Sequence, residues 1–174
     1  MIVRKHTSQL FAILFSCIIV LSSSAFDSAL LAQNILVDET FDNPLNLPDG
    51  WLQQTLANDG GWSSGNNSSL QSEWWSIDPN GNFIATNDDA CDCNKSADYL
   101  ITPPLNFTGL NNAILSFSSF FSGETFEGST DRATIEYSID GGDSWIVLTE
   151  IAGNGNADNT VWENHNVNLS EILT

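Results

Sequence analysis

Arg132-Ala133-Thr134-Ile135-Glu136-Tyr137-Ser138-Ile139 runs directly into Asp140-Gly141-Gly142-Asp143, and Ser144-Trp145-Ile146-Val147-Leu148-Thr149-Glu150-Ile151 follows. Ala133, Ile135, Tyr137 and Ile139 fall on one side of an extended chain, and Arg132, Thr134, Glu136 and Ser138 on the other. Alternation with period two marks a half-buried strand. Two adjacent glycines accept the positive φ that a tight reversal needs. The stretch therefore reads as a β-hairpin, with residues 132–139 paired to residues 145–151.

Working outward, the same period recurs at residues 35–41, 73–77, 82–85, 99–102, 113–121 and 161–169, with Gly, Asn, Asp and Pro between the runs. No sustained helical period follows the N-terminal apolar segment. Pro103-Pro104 ends the run at 99–102, because neither residue can donate to a ladder. Residues 58–69, rich in Gly, Asn and Ser, read as a surface loop. Many short strands separated by turns predict an all-β chain, a β-sandwich of two antiparallel sheets. Residues 167–173 read as a strand end leading into another turn, so the expectation is a sandwich without its C-terminal strands.

The N-terminus reads as an export signal. Arg4, Lys5 and His6 precede an apolar run from Leu10 to Leu21, and small residues follow at Ser22-Ser23-Ser24-Ala25. Cleavage is expected after Ala25 or Ala32, with the later cut preferred, giving a signal peptide over residues 1–32 and one domain over residues 33–174. Leu14-Phe15-Ser16-Cys17 loosely matches a lipobox, but Ile18-Ile19-Val20-Leu21 continue the apolar run where a polar tail should open. The run is also short for a membrane span of ~20 residues, so the mature chain is expected not to insert into a membrane.

The formal net charge is −18, from 22 acidic residues against four Lys and Arg. After the signal only Lys95 and Arg132 remain as strong cations. Such a surface repels phosphate, which argues against nucleic acid and anionic membranes as partners. Acidity this strong often marks disorder, but ten Phe and six Trp supply a core.

At Leu100-Ile101-Thr102-Pro103-Pro104-Leu105 the chain resembles a known family. That segment, then Leu115-Ser116-Phe117, then residues 137–145, follow the order of choice-of-anchor J or cleaved-adhesin modules. Asp38-Glu39-Thr40-Phe41-Asp42, Pro48-Asp49-Gly50-Trp51 and Asn87-Asp88-Asp89-Ala90-Cys91-Asp92-Cys93 fit the same pattern. The resemblance spans about residues 35–173. It implies a MAM-like jelly roll, secretion or display at the cell surface of Bacteroidetes, and an adhesive or accessory role. The family's closing acidic strand and a C-terminal sorting domain are absent from the match. Residues 138–145 also match the Asp-box hairpin of sialidases, which is a folding device. A sialidase would need several boxes and an arginine cluster.

Asp88, Asp89, Asp92 and Asp98 lie within eleven residues, with Asn87 and Asn94 offering neutral oxygens. Calcium takes six to eight oxygen ligands, and the resemblance adds families with structural calcium sites. The expected calcium set is Asp42, Asn87, Asp88, Asp89, Asp92 and Asp98, against the alternative of a solvated acidic loop. Cys91 and Cys93 are read first as a disulfide in an oxidising compartment, second as free thiols, and last as metal ligands. Trp62, flanked by Gly60-Gly61 and Ser63-Ser64, is the candidate for stacking on a sugar, while Trp51 and Trp145 are expected in the core. His165 stands alone in the mature chain, and no serine sits in a Gly-flanked elbow, so no hydrolytic triad is expected. The reading is a non-catalytic extracellular binding or adhesion module for a protein or glycan. The alternative is an accessory, carbohydrate-binding module of a larger secreted hydrolase.

Overall fold

The computed structural model describes residues 1–6, 11–15, 34–43, 46–73, 75–88, 91, 93, 95 and 97–173; for residues 2–6 and 11–15 it gives the backbone course. The expected cleavage positions and Cys17 lie outside the described residues, as do Trp74, Asp89, Asp92 and Asn94. Among the described residues there are twelve strands: β1 (Ile2–His6), β2 (Phe11–Phe15), β3 (Leu52–Gln54), β4 (Ser63–Asn66), β5 (Asn82–Thr86), β6 (Asp98–Ile101), β7 (Ile114–Phe121), β8 (Thr125–Phe126), β9 (Ser129–Thr130), β10 (Arg132–Tyr137), β11 (Ile146–Ile151) and β12 (Trp162–Asn168). One helical turn, α1 (Asn67–Leu70), and two short 3-10 turns, Ala157–Asn159 and Ser170–Ile172, complete the described elements.

The protein is all-β. Its strands form two five-stranded sheets, in the orders β11-β10-β1-β6-β3 and β12-β7-β2-β5-β4, and β8 and β9 make a separate ribbon. All the named strand pairs are antiparallel. Both sheets feed one apolar core. Leu100, Ala133, Ile135 and Ile151 enter from the first sheet, and Ile84, Leu115, Phe117 and Phe121 from the second. A smaller cluster, Trp75, Ile77, Phe83, Ala85 and Phe120, covers the other face of the second sheet. Residues 83–85 and 120–121 are therefore apolar in succession, because β5 and this end of β7 are covered on both faces.

The 132–151 hairpin forms as read. β10 pairs with β11, with a register shift between Ile135 and Glu136. Gly141 and Gly142 take φ of +81° and +98°. Asp140 closes the turn: it accepts hydrogen bonds from the Ser144 amide (3.0 Å), the Ser144 hydroxyl (2.5 Å) and the Ser138 hydroxyl (2.7 Å). Those donors, the Ser144 hydroxyl foremost, hold its carboxyl far below the usual carboxylate range. Trp51 is buried, whereas Trp145 is only half-buried at the hairpin's end.

Two expected strands are absent. Residues 35–41 run without a ladder, and Leu36 and Val37 rest against the core. At the end of that segment Phe41 adopts φ of +55°. Its amide donates to the Glu39 carboxylate (2.6 Å), and its ring meets Trp51 edge-on at 5.4 Å. At residues 73–77 the described residues show an isolated bridge, between Ser72 and Trp75, and no ladder. The segments read as leader, conversely, contribute the middle strand of each sheet. Among the described residues no helix is long and apolar enough to cross a membrane.

Candidate functional site

The loop between β5 and β6 is organised by a buried cation. Lys95 is 1% exposed. Its Nζ donates to Asp59 Oδ1 (2.6 Å) and Oδ2 (2.5 Å) and to the Gly61 carbonyl (3.4 Å), and lies 3.4 Å from Asp98 Oδ2. Asp98, fully buried, also accepts from the hydroxyls of Thr55 and Thr86. Desolvation alone would raise the Asp59 carboxyl. The Lys95 hydrogen bond and charge, with the Gly61 amide, outweigh it and hold Asp59 below its ordinary value. Cys91 and Cys93 are joined as a disulfide, Cα atoms 5.1 Å apart, beside the Asp59 carboxylate.

This arrangement bears on two members of the expected calcium set, Asp98 and Asp42, while Asp89 and Asp92 lie outside the described residues. Asp98 is satisfied by Lys95 and two hydroxyls, and so needs no ion. Asp42 accepts from Thr40 (2.7 Å) and from the Asn82 side chain (3.0 Å), which ties it to the start of β5, while Asp88 follows the end of that strand. The length of β5, about 13 Å, separates them, whereas ligands of one calcium ion lie within about 2.6 Å of it. Asn87 and Asp88 are buried after β5. Trp62 is corrected too. It is 3% exposed and packs in the core, with its amide on Gln53 Oε1 at 2.7 Å, so it has no free face for a sugar.

His165 finds a partner that spacing does not reveal. Register across β7 and β12 sets it opposite Phe117, with the rings stacked at 4.8 Å and His165 Nε2 2.8 Å from the Ser119 hydroxyl. A serine and an imidazole at this distance have the outline of a nucleophile and base. Ser119, however, is 2% exposed and points toward the core, where a substrate cannot reach it. Burial lowers the His165 pKa.

A groove of about 590 Å³ lies beside Trp75. Ser72 and Trp75 exchange backbone hydrogen bonds (2.9 and 3.3 Å), which fixes these two residues at its rim. Trp75 and Phe120, ring centres 5.6 Å apart, form the floor. The Trp162 indole donates to the Asp78 carbonyl (2.8 Å) and fixes the adjacent wall. The 3-10 turn Ala157–Asn159 brings Asp158 and Asn159 to the opposite side. The exposed carboxylates of Glu73, Asp78 and Asp158 line the groove, with no lysine or arginine among the lining residues. The Ser72 hydroxyl, buried in the rim, has no hydrogen-bond partner among the described residues. Nothing in the spacing announced this site, since its sides come from segments about eighty residues apart.

No family model matches this chain, and no curated protein or solved structure does either.

Proposed function

We propose that this protein works outside the cell, after removal of an N-terminal leader, as a non-catalytic binding module for a glycan. The groove beside Trp75 carries the reading. Carboxylates, a primary amide and the Ser72 hydroxyl around the groove suit a neutral polyhydroxylated ligand, whose hydroxyls donate to the acids, while Trp75 and Phe120, both buried, back the groove and hold its shape. Three carboxylates with no balancing cation disfavour an anionic sugar or a phosphate. The order of motifs that resembles choice-of-anchor J modules supports an extracellular adhesive role. The enclosure of Ser119 supports a module without hydrolytic chemistry.

Binding of the purified protein to an array of neutral and acidic glycans tests this directly. Neutral glycans should be retained and acidic ones excluded. Glu73→Gln with Asp158→Asn should weaken retention at least about tenfold, the scale of one lost charge-assisted hydrogen bond, with an unchanged melting temperature. Equal retention by the wild type and this variant would remove the groove from the binding site.

A further inference from the structure

We propose that Lys95 and Asp59 condense to an intramolecular amide, with Asp98 as the proton carrier, so that a covalent clamp joins two loops of the fold. Asp59 stands in the loop from β3 to β4, and Lys95 in the loop from β5 to β6. Each of these loops leaves one five-stranded sheet and enters the other. A bond between the two side chains ties both crossings together.

The geometry brings an amine, a carboxyl and a second acid into one shielded place. The side chains of Lys95 and Asp98 are both 0% exposed, whereas that of Asp59 keeps 28% of its surface open. Lys95 Nζ stands 2.6 and 2.5 Å from the two oxygens of Asp59, closer than the roughly 2.7–2.9 Å of an ordinary charge-assisted hydrogen bond. The Asp59 carboxyl carbon, lying between those oxygens, is thus within the roughly 3–3.5 Å of a near-attack arrangement. Gly60 and Gly61, with φ of +94° and +80°, fold the loop back so that the Gly61 amide donates to Asp59 Oδ1 (3.1 Å) and steadies the carboxyl. Asp98 Oδ2 lies 3.4 Å from the same nitrogen, and the Thr55 and Thr86 hydroxyls hold one Asp98 oxygen each. A lysine suits this place where an arginine would not, because an arginine cannot give up its proton.

The step balances without any co-reactant. Lys95 passes one proton to Asp98, which leaves a neutral amine beside a carboxylic acid. The nitrogen lone pair attacks Asp59 Cγ, and the bond from Nζ to Cγ forms. One Asp59 oxygen departs as water, taking the proton held by Asp98 and a second proton from the nitrogen. Ammonium and carboxylate become one amide and one water, and Asp98 ends as the carboxylate it was. In bulk water hydration of the two ions opposes this reaction. Lys95 has already lost its hydration, so condensation removes a charge pair that burial disfavours. The open flank of Asp59 gives the water its exit.

Mass spectrometry of the purified full chain tests the bond. The protein should be lighter than its sequence by one water, and fragments of a protease digest should contain the segments bearing residues 59 and 95 joined. Lys95→Arg should restore the full mass while keeping the positive charge. Asp98→Asn should slow the loss of water after refolding by about a hundredfold, the lower end for a positioned acid–base group. A wild-type chain of full mass with no joined fragment overturns the proposal. So does equal loss of water by Lys95→Arg, since the Asp59-Gly60 pair can lose the same water by closing a succinimide on the Gly60 amide. An unchanged rate in Asp98→Asn overturns the part given to Asp98. Where a variant fails to fold, the wild-type mass and the joined fragment decide the bond by themselves.

Discussion

Lys95 holds one of the few positive charges of the chain, yet its ammonium is closed off from water by Asp59, Asp98 and the Gly61 carbonyl. Lys95→Met should cost about 3–5 kcal/mol in urea denaturation, because it leaves the fully buried Asp98 without its counter-charge. Adding Asp98→Leu to that variant should recover part of the loss. His165 makes a second, pH-dependent contribution. Burial lowers its pKa in the fold, so the native state favours neutral imidazole. Its contribution is complete above the unfolded value near 6.5 and is lost as pH falls through the lowered native value. Thermal melts between pH 5 and 8 should fall on the acid side, and His165→Gln should flatten that slope. The acidic character of residues 88–98 was legible in the sequence, and so was the pairing of Cys91 with Cys93. The fate of Asp98 was not, because its cation is set by Asp59, 36 residues before Lys95, and no local spacing encodes that closure.

The hairpin of β10 and β11 shows what a short segment can specify unaided. Alternation, two glycines and an Asp-capped turn agree on one structure, and the observed strands fall within one or two residues of the expected bounds. Gly142→Ala should cost about 1–2 kcal/mol, the penalty for a Cβ at positive φ, measured as a shift in the urea midpoint with an unchanged slope. Residues 35–41 show the opposite case. Their β-branched and aromatic residues favour a strand, but a strand needs an open ladder, and the place between β6 and β10 is held by β1. Which segment wins such a place depends on the tertiary context of both sheets, which no window of seven residues contains. Trp62 illustrates the same limit. Its Gly- and Ser-rich flanks signalled a surface loop, whereas β4 begins at Ser63, pairs with β5 and leaves the indole inward.

Over the whole molecule the net charge of −18 acts as a field rather than as pairs. Lys95 is internal, and Arg132 is bound by both oxygens of Glu150 (2.9 and 2.7 Å), so neither offsets the acidic surface broadly. Moving from 10 to 300 mM sodium chloride should raise the melting temperature by a few degrees, since screening relieves self-repulsion in the compact state. A flat salt profile would show that the acids are spaced widely enough not to interact. The Cys91–Cys93 bridge has a different whole-molecule consequence, in the order of events during folding. A ring of three residues removes little freedom from the unfolded chain, about 1.5 kcal/mol on the loop-entropy estimate against about 3 for a fifteen-residue loop. The two thiols are near neighbours in any conformation, so oxidation can precede collapse or follow it without trapping a wrong topology. Refolding from urea in the presence of dithiothreitol should therefore reach the same sheets at nearly the same rate as refolding of the oxidised chain.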